Sequence, residues 1–326
     1  MRAVLLVSLL LAACSSDPDD PLPPPPAGEG FQVEMTATVP AGTEIWECKV
    51  TEIPFDGIIK VNHVESVQSP GIHHMDISVL AFAGVDLDVG TYDCNQIYAD
   101  YPALMENGLI VYAAQQAEQS ITLPEGTVAQ LPGGLKIMQE IHYVNATSQP
   151  VEAFSKINIY KYTGETLQTI WGNAVRDTNM DIPVGESTQW TRCVMDEDID
   201  VLFLSSHTHQ LGRNVQVKRF DGAAVGELVY SNDDWHTPQL KEFADAPLHV
   251  AAGTGFEFAC HFSNPTGEVV HWGFKAEDEM CQIALVFTPG DAGRKCNVVE
   301  TSDGVLPAAQ IQRGSGTAKT GPHHAP

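Results

Sequence analysis

Several of the 12 histidines in this chain have a spacing that suits metal binding. His207 and His209 flank one threonine in a predicted strand, and residues two apart in a strand point to the same side of a sheet. Two imidazoles on one side can bind one ion. His73 and His74 are adjacent, so they share an ion only where the strand twists, bulges or ends. Spacing alone therefore favours His207 and His209 as the metal site.

The chain lacks the common signatures of several other enzyme classes. We find no G-x-S-x-G elbow, P-loop, G-x-G-x-x-G after a strand, or H-E-x-x-H. Asp233 and Asp234 precede Trp235 and His236 and could be imagined as an acid/base pair. With 42 acidic residues in the chain, an acidic loop is the more typical interpretation.

Short strands must position these histidines. Runs rich in β-branched and aromatic residues alternate with Gly, Pro, Asn and Asp, and no long period of 3.6 residues is present. The pattern predicts an all-β chain of antiparallel sandwiches or jelly rolls. The strand runs are IIKVNHV, HHMDISVLAF, GLIVYAA, LKIMQEIHYV, INIYKY, DVLFLSSHTH, VQVKRF, GFEFACHF and CQIALVFT.

A length of 326 residues suggests two domains. The best boundary lies in the stretch 171–185, which ends one set of strands and precedes another. We predict a first sandwich over 31–172 and a second over 173–306. The remaining residues, 307–326, resemble a disordered tail.

Composition excludes several classes of protein. Lys and Arg total 17 against 42 Asp and Glu, which leaves a formal net charge of −25. Such a surface repels nucleic acids and anionic headgroups. No apolar run reaches the roughly 18 residues that a membrane span needs. A hydrophobic content of 43% is too high for a disordered chain.

The N-terminus predicts export and lipid anchoring. Residues 1–13 have the basic start and short apolar core of a signal peptide. The sequence LAAC, ending at Cys14, resembles a bacterial lipobox, in which the cysteine is acylated and anchors the chain. A Pro- and Asp-rich tether follows over 14–30, and Ser15 favours the outer membrane, facing the periplasm or the cell exterior. The alternative is an ordinary signal peptide with a chance cysteine.

Cysteine parity indicates disulfides in an exported protein. Seven cysteines less the acylated one leave six, two in the first half and four in the second. An even number suggests three bridges, but six cysteines allow 15 pairings. Parity leaves the choice among them open.

Taken in order, these motifs resemble the copper type II ascorbate-dependent monooxygenases, the family of dopamine β-monooxygenase and peptidylglycine α-hydroxylating monooxygenase. The resemblance extends from about Ile58 to Cys296. The segments that carry it are IIKVNHVESVQSPGIHHMDISVL, LKIMQEIHY, SSHTHQLGRNVQV, NDDWHTPQ, ACHFSNPTG and DEMC.

The resemblance implies two copper ions per chain, on two sandwiches that face each other across a solvent-filled cleft. The electron-transfer copper (H site) would be bound in the first domain by His73, His74 and His142. The oxygen-activating copper (M site) would be bound in the second by the catalytic residues His207, His209 and Met280. The implied disulfides are Cys48–Cys94, Cys193–Cys296 and Cys260–Cys281.

The implied reaction inserts one oxygen atom of O2 into a substrate C–H bond and reduces the other to water. Two electrons come from a donor such as ascorbate. Ligand chemistry agrees with copper, because imidazole suits several metals whereas the soft thioether of Met280 favours Cu(I). Nucleic acid is not an expected partner, and the only expected contact with a membrane is the lipid anchor.

Three departures weaken any assignment of substrate. In the peptidylglycine branch an Arg, an Asn and a Tyr help to bind the substrate carboxylate, and here those positions are Ser205, Gln282 and Ala284. Peptide amidation is therefore not expected, and a small activated substrate is. His236 is a candidate for lining the substrate cleft. Two alternatives remain, a non-catalytic copper-binding lipoprotein and a zinc protein.

Overall fold

In the computed structural model, the residues described are 20–104, 109–275, 277–290 and 294–306. They form mainly antiparallel sheets, together with the α-helix α1 (Cys94–Asp100) and the 3₁₀ turn Leu80–Ala83. The all-β prediction is confirmed.

The first sandwich consists of two sheets. One, the β1 sheet, has the order β1-β10-β3-β8-β11 with β7 beside β3, and the other, the β2 sheet, has the order β5-β2-β9-β4-β6. All pairings are antiparallel except that of β11 with β8. The strands are β1 (Gly30–Val39), β2 (Glu44–Glu52), β3 (Ile58–Gln68), β4 (Ile72–Val79), β5 (Gly90–Asp93), β6 (Leu109–Ala114), β7 (Glu118–Thr122), β8 (Thr127–Pro132), β9 (Lys136–Val144), β10 (Val151–Lys161) and β11 (Gln168–Thr169).

Alternation along the strands builds the first core. In β1 every second residue is buried, and Val33 packs with Ile157 of β10. Met75 of β4 and Ile141 of β9 close the core from the β2 sheet. The side chains on the opposite face of the β2 sheet therefore lie outside this core.

The second sandwich repeats the arrangement. Its β12 sheet has the order β12-β22-β15-β18 with β19 beside β15, and its β14 sheet has the order β17-β16-β20-β14-β23-β24. A short β13-β21 pair lies beside them. The strands are β12 (Trp171–Arg176), β13 (Asp181–Ile182), β14 (Gly185–Met195), β15 (Ile199–His207), β16 (Gly212–Phe220), β17 (Val225–Asn232), β18 (Lys241–Glu242), β19 (Leu248–Val250), β20 (Gly255–Asn264), β21 (Val270–His271), β22 (Gln282–Thr288), β23 (Cys296–Thr301) and β24 (Gly304–Val305).

Aromatic residues dominate the second core. Phe256, Phe258 and Phe262 of β20 are fully buried against Ile283 and Leu285 of β22. Complete burial of side chains of this size contributes roughly 1.5–3 kcal/mol each.

Three disulfides stabilise the sandwiches. Cys48–Cys94 joins β2 to α1, Cys193–Cys296 joins β14 to β23, and Cys260–Cys281 joins β20 to the start of β22. These pairings are consistent with those that the resemblance implied. The last of them closes a separation of only 21 residues and fixes the chain immediately after Met280.

The two sandwiches are in direct contact. Strand β11 still pairs within the first sandwich and β12 already pairs within the second, so the chain crosses at Ile170. Leu123 of the first sandwich packs against Leu202 and Phe203 of the second.

The start of the described chain packs on the first sandwich. Lys156 forms an ion pair with Asp20 at 2.8 Å, and Asn158 donates a hydrogen bond to the Pro23 carbonyl. Leu22 is buried. The predicted tether is therefore attached to β10 from Asp20 onward. The signal peptide, Cys14 and the predicted tail at 307–326 lie outside the described residues.

Within the described residues, no helix is long and apolar enough to cross a membrane.

Candidate metal centre

A bulge in β4 brings His73 and His74 to the same face of the β2 sheet. Ile72 and Met75 both contribute to the first core, and the register with β9 shifts between Ile72 and His74. The two residues between them therefore lie outside that core. His142 of β9 is paired directly with His74.

These three histidines form a tight group. One ring nitrogen of each lies within 4.8 Å of the others, and Nδ1 of His73 is 3.0 Å from Nδ1 of His74. His142 contacts a Glu44 carboxylate oxygen through Nε2, and a carboxylate can only accept a hydrogen bond from it. The buried Nδ1 of His142 then carries a lone pair, and it has no hydrogen-bond partner in the described structure.

Burial keeps His73 and His74 neutral. Burial, together with the neighbouring imidazoles of His209 and His142, lowers the pKa of His73 to about 3. Burial also holds the pKa of His74 well below its ordinary value. Neutral imidazole is the form that binds a metal ion.

The second group lies where β15 ends and the chain turns toward β16. His207 is the last residue of β15, and its Nδ1 lies 2.7 Å from Oε1 of Gln115. Nδ1 of His209 lies 2.9 Å from the backbone carbonyl oxygen of Asp278. Both partners accept, so both histidines carry the proton on Nδ1 and have a lone pair on Nε2.

Burial governs the protonation of this group too. It holds the pKa of His207 well below its ordinary value, and it lowers the pKa of His209 to about 4. Nε2 of His209 is buried and has no partner among the described residues.

Glu279 connects Met280 to the histidine turn. Its fully buried carboxylate accepts hydrogen bonds from the backbone N–H groups of His209, Leu211 and Met280 at 2.8, 2.8 and 2.9 Å. Burial raises the pKa of Glu279 to about 7, although these N–H groups act in the opposite direction. Met280, itself 3% exposed, is thus fixed next to the turn that carries His209.

The two groups of histidines touch each other. The ring centroid of His73 is 5.5 Å from that of His207 and 5.4 Å from that of His209, and His74 is 5.7 Å from His207. Distances within each group are similar, for example 5.2 Å between His207 and His209. The five histidines therefore form one cluster across the domain boundary.

This contact differs from the solvent-filled cleft that the resemblance implied. The physical reason is that the two sandwiches pack against each other at two apolar contacts. Leu123 and Phe203 belong to one apolar contact, and Trp46 stacks on Phe274 with ring centroids 5.9 Å apart in the other.

A loop of the second sandwich covers part of the cluster. The Trp235 ring is stacked on His73, with centroids 5.5 Å apart and planes at 29°. His236 packs edge-on against Trp235 and is exposed. Asp234 accepts hydrogen bonds from the N–H groups of His236 and Thr237 and from the Thr237 hydroxyl, so its observed contacts shape the turn.

Sequence reasoning missed four polar residues around the cluster. Glu44 and Gln115 contact His142 and His207, and Glu279 connects the turn to Met280. Glu140 lies 4.0 Å from His74 and accepts a hydrogen bond from Tyr98. Two of the four had a signal, because Glu140 is two residues before His142 in a strand and Glu279 directly precedes Met280. Glu44 and Gln115 are too distant in sequence to have one.

The donor set fits copper. The cluster contains five imidazoles, and each group includes one buried nitrogen without a hydrogen-bond partner among the described residues. The buried Met280 is joined to the turn of His209 through Glu279. Imidazole and thioether together are ligands that copper accepts in its reduced form.

Solved structures give only distant likenesses to this chain. Cowpea mosaic virus top component is 6% identical with a TM-score of 0.37, covering 79% of this chain and 89% of that one. PNGase F, a glycosylasparaginase from Flavobacterium meningosepticum, is 8% identical with a TM-score of 0.32, covering 81% and 97%. The major capsid protein P2 of bacteriophage PM2 is 9% identical with a TM-score of 0.30, covering 80% and 99%. Such TM-scores support no functional argument.

No curated protein matches the chain. A family model does match. Residues 173–303 correspond to the C-terminal domain of the copper type II ascorbate-dependent monooxygenases, a match that spans the second sandwich with His207, His209 and Met280. Residues 173–303, which form most of the second sandwich, are therefore identified as a C-terminal domain of the copper type II ascorbate-dependent monooxygenase family.

Proposed function

We propose that this protein is a dicopper monooxygenase that hydroxylates an activated C–H bond of a small organic substrate. His73, His74 and His142 bind the electron-transfer copper, and His207, His209 and Met280 bind the oxygen-activating copper. The observation that carries the proposal is the pair of buried nitrogens without partners among the described residues, one in each group of histidines. A buried methionine is joined to the turn of the second group through Glu279.

Bound copper would relay electrons from the reductant and, in the second site, would activate O2. The protein's own residues prepare that chemistry before copper binds. Burial keeps four of the imidazoles neutral, those of His73, His74, His207 and His209. Glu44, Gln115 and the Asp278 carbonyl set which ring nitrogen has the lone pair. Glu279 holds Met280 next to the histidine turn.

Substrate and reductant are part of the proposal. Ser205, Gln282 and Ala284 offer no cationic group for a carboxylate, which favours a small substrate over a glycine-extended peptide. The reductant is ascorbate or a substitute. We propose further that Cys14 anchors the protein to a bacterial membrane, most simply the outer one.

Copper stoichiometry followed by O2 consumption tests the function. We expect two copper ions per chain and O2 uptake that requires both a reductant and a substrate. Copper binding without any such uptake would favour the non-catalytic copper-binding lipoprotein. Stable zinc binding with no affinity for Cu(I) would contradict copper chemistry altogether.

A further inference from the structure

Gln115 of the first sandwich contacts two elements of the second sandwich, the end of β15 and the loop that contains Trp235. Gln115 directly follows β6 and is half-buried. Its Oε1 lies 2.7 Å from Nδ1 of His207, and its Nε2 donates to the Trp235 carbonyl at 3.2 Å. One amide group thus contacts both a candidate copper ligand and the loop whose tryptophan covers His73.

The two contacts together determine where the His207 proton lies. A backbone carbonyl only accepts, so the Gln115 amide must turn its NH2 group toward Trp235. Its oxygen then faces His207 and can only accept as well. The His207 proton is therefore on Nδ1, and Nε2 has the lone pair that a metal requires.

His209 obtains the same tautomer in a different way. Its Nδ1–H donates to the Asp278 carbonyl, which belongs to its own sandwich. His207 depends on a residue of the other sandwich, 92 positions away in the chain. Separation of the sandwiches would thus release His207 while His209 kept its partner.

We propose that Gln115 is a positioning residue that sets the tautomer and ring direction of His207 across the domain boundary. The second copper site is then complete only when the first sandwich is docked against it. The inference rests on the proposed role of His207 as a copper ligand. Loss of such an outer partner typically costs about 10–100-fold in metal affinity.

The neighbouring glutamine provides a matched control. Gln116 Nε2 donates to the Pro238 carbonyl at 3.3 Å, so it too holds the Trp235 loop from the first sandwich. Among the residues that the structure describes, no hydrogen bond joins Gln116 to a histidine. A general effect of loosening the loop would appear in both Gln116→Leu and Gln115→Leu, whereas an effect through His207 would appear only in the second.

The first experiment uses metal-free protein with ¹⁵N-labelled histidine. Long-range ¹H–¹⁵N spectra report which ring nitrogen carries each proton, and His207→Gln assigns the His207 signals. We expect His207 to be protonated on Nδ1 in the wild type, in Gln116→Leu and in Gln115→Glu, which keeps the acceptor. Gln115→Leu should lose this preference. Unchanged His207 signals in Gln115→Leu would overturn the inference.

The second experiment measures Cu(I) affinity by competition with a chelator. Gln115→Leu should weaken one of two binding events by about 10–100-fold, while Gln115→Glu and Gln116→Leu stay near the wild type. Equal weakening in Gln115→Glu would mean that the loop contact matters and the acceptor does not, which contradicts the inference. Failure of the wild type to bind a second copper would contradict the proposed function instead, and the metal-free spectra would still decide the role of Gln115.

Discussion

The protonation state of the candidate ligands is a property of single residues, and burial sets it. The pKa of His73 falls to about 3 and that of His209 to about 4, mainly because a charged imidazole loses its hydration in this cluster. These histidines are neutral throughout the physiological range. These two imidazoles can therefore bind a metal ion without first losing the extra proton of the charged form.

Met280→Ile tests the soft ligand of the second site. The swap keeps the approximate volume, so the fold should survive at a cost below about 1.5 kcal/mol. We expect Cu(I) affinity at the second site to fall, hydroxylation to be lost, and the Cu–S shell to disappear from the X-ray absorption of the reduced protein. His142→Ala is the contrasting variant, because it should impair electron delivery and leave the Cu–S shell intact. A Cu–S shell that persists in Met280→Ile would refute the assignment of Met280.

Substrate choice is also argued from single side chains. Ser205 donates to the Gln239 carbonyl at 3.3 Å, and Ser205 and Ala284 are paired on neighbouring strands. Neither side chain is a cation that could bind a carboxylate. A glycine-extended peptide should therefore be oxidised far more slowly than arylethylamines or other small activated compounds, as measured by O2 uptake and product analysis. Efficient formation of glyoxylate from the peptide would mean that another residue binds the carboxylate.

At the level of elements, a bulge in β4 and a short turn after β15 position the two groups of histidines. The bulge in β4 lets two adjacent histidines leave the same face, which a regular strand forbids. The turn after β15 has its backbone N–H groups bound by Glu279, so the turn and Met280 move as one unit.

Glu279→Gln should disturb this turn. The NH2 group of the glutamine amide would face at least one backbone N–H group that now donates a hydrogen bond to the carboxylate. That N–H group would lose its acceptor, and a buried unsatisfied donor costs about 1–3 kcal/mol. We expect a lower free energy of unfolding for the metal-free protein, measured in denaturant, together with weaker copper binding at the second site.

Glu277→Gln is the control for that variant. Glu277 is exposed in the same segment and pairs only loosely with Lys275, at 3.9 Å. Its replacement should change stability by less than about 1 kcal/mol. Equal effects of the two substitutions would show that Glu279 has no special role.

At the scale of the whole molecule, the docking of two sandwiches creates the histidine cluster. The apolar contact of Leu123 with Phe203, the Trp46–Phe274 stack and the two glutamines hold the faces together. Neither sandwich alone contains all five histidines.

Membrane attachment is a prediction that concerns the N-terminal segment of the chain. Because LAAC at Cys14 resembles a lipobox, Cys14→Ser should release the protein from the membrane fraction of an exporting bacterium, as judged by fractionation and immunoblotting. Ser15→Ala, which keeps the acylated cysteine, should stay with the membranes. A wild-type protein that is soluble after export would contradict the lipobox.

Much of the architecture follows from local sequence. Strand alternation and turn residues predict the sheets because burial on one face repeats every second residue, and the order of the histidine and methionine motifs indicates the copper family. Only the tertiary structure decides which side chains orient the ligands. Glu44 lies 98 residues from His142 and Gln115 lies 92 from His207, so no periodicity links them. Those contacts, and the merging of two sites into one cluster, depend on how the bulged strand and the docked faces pack, which local patterns do not specify.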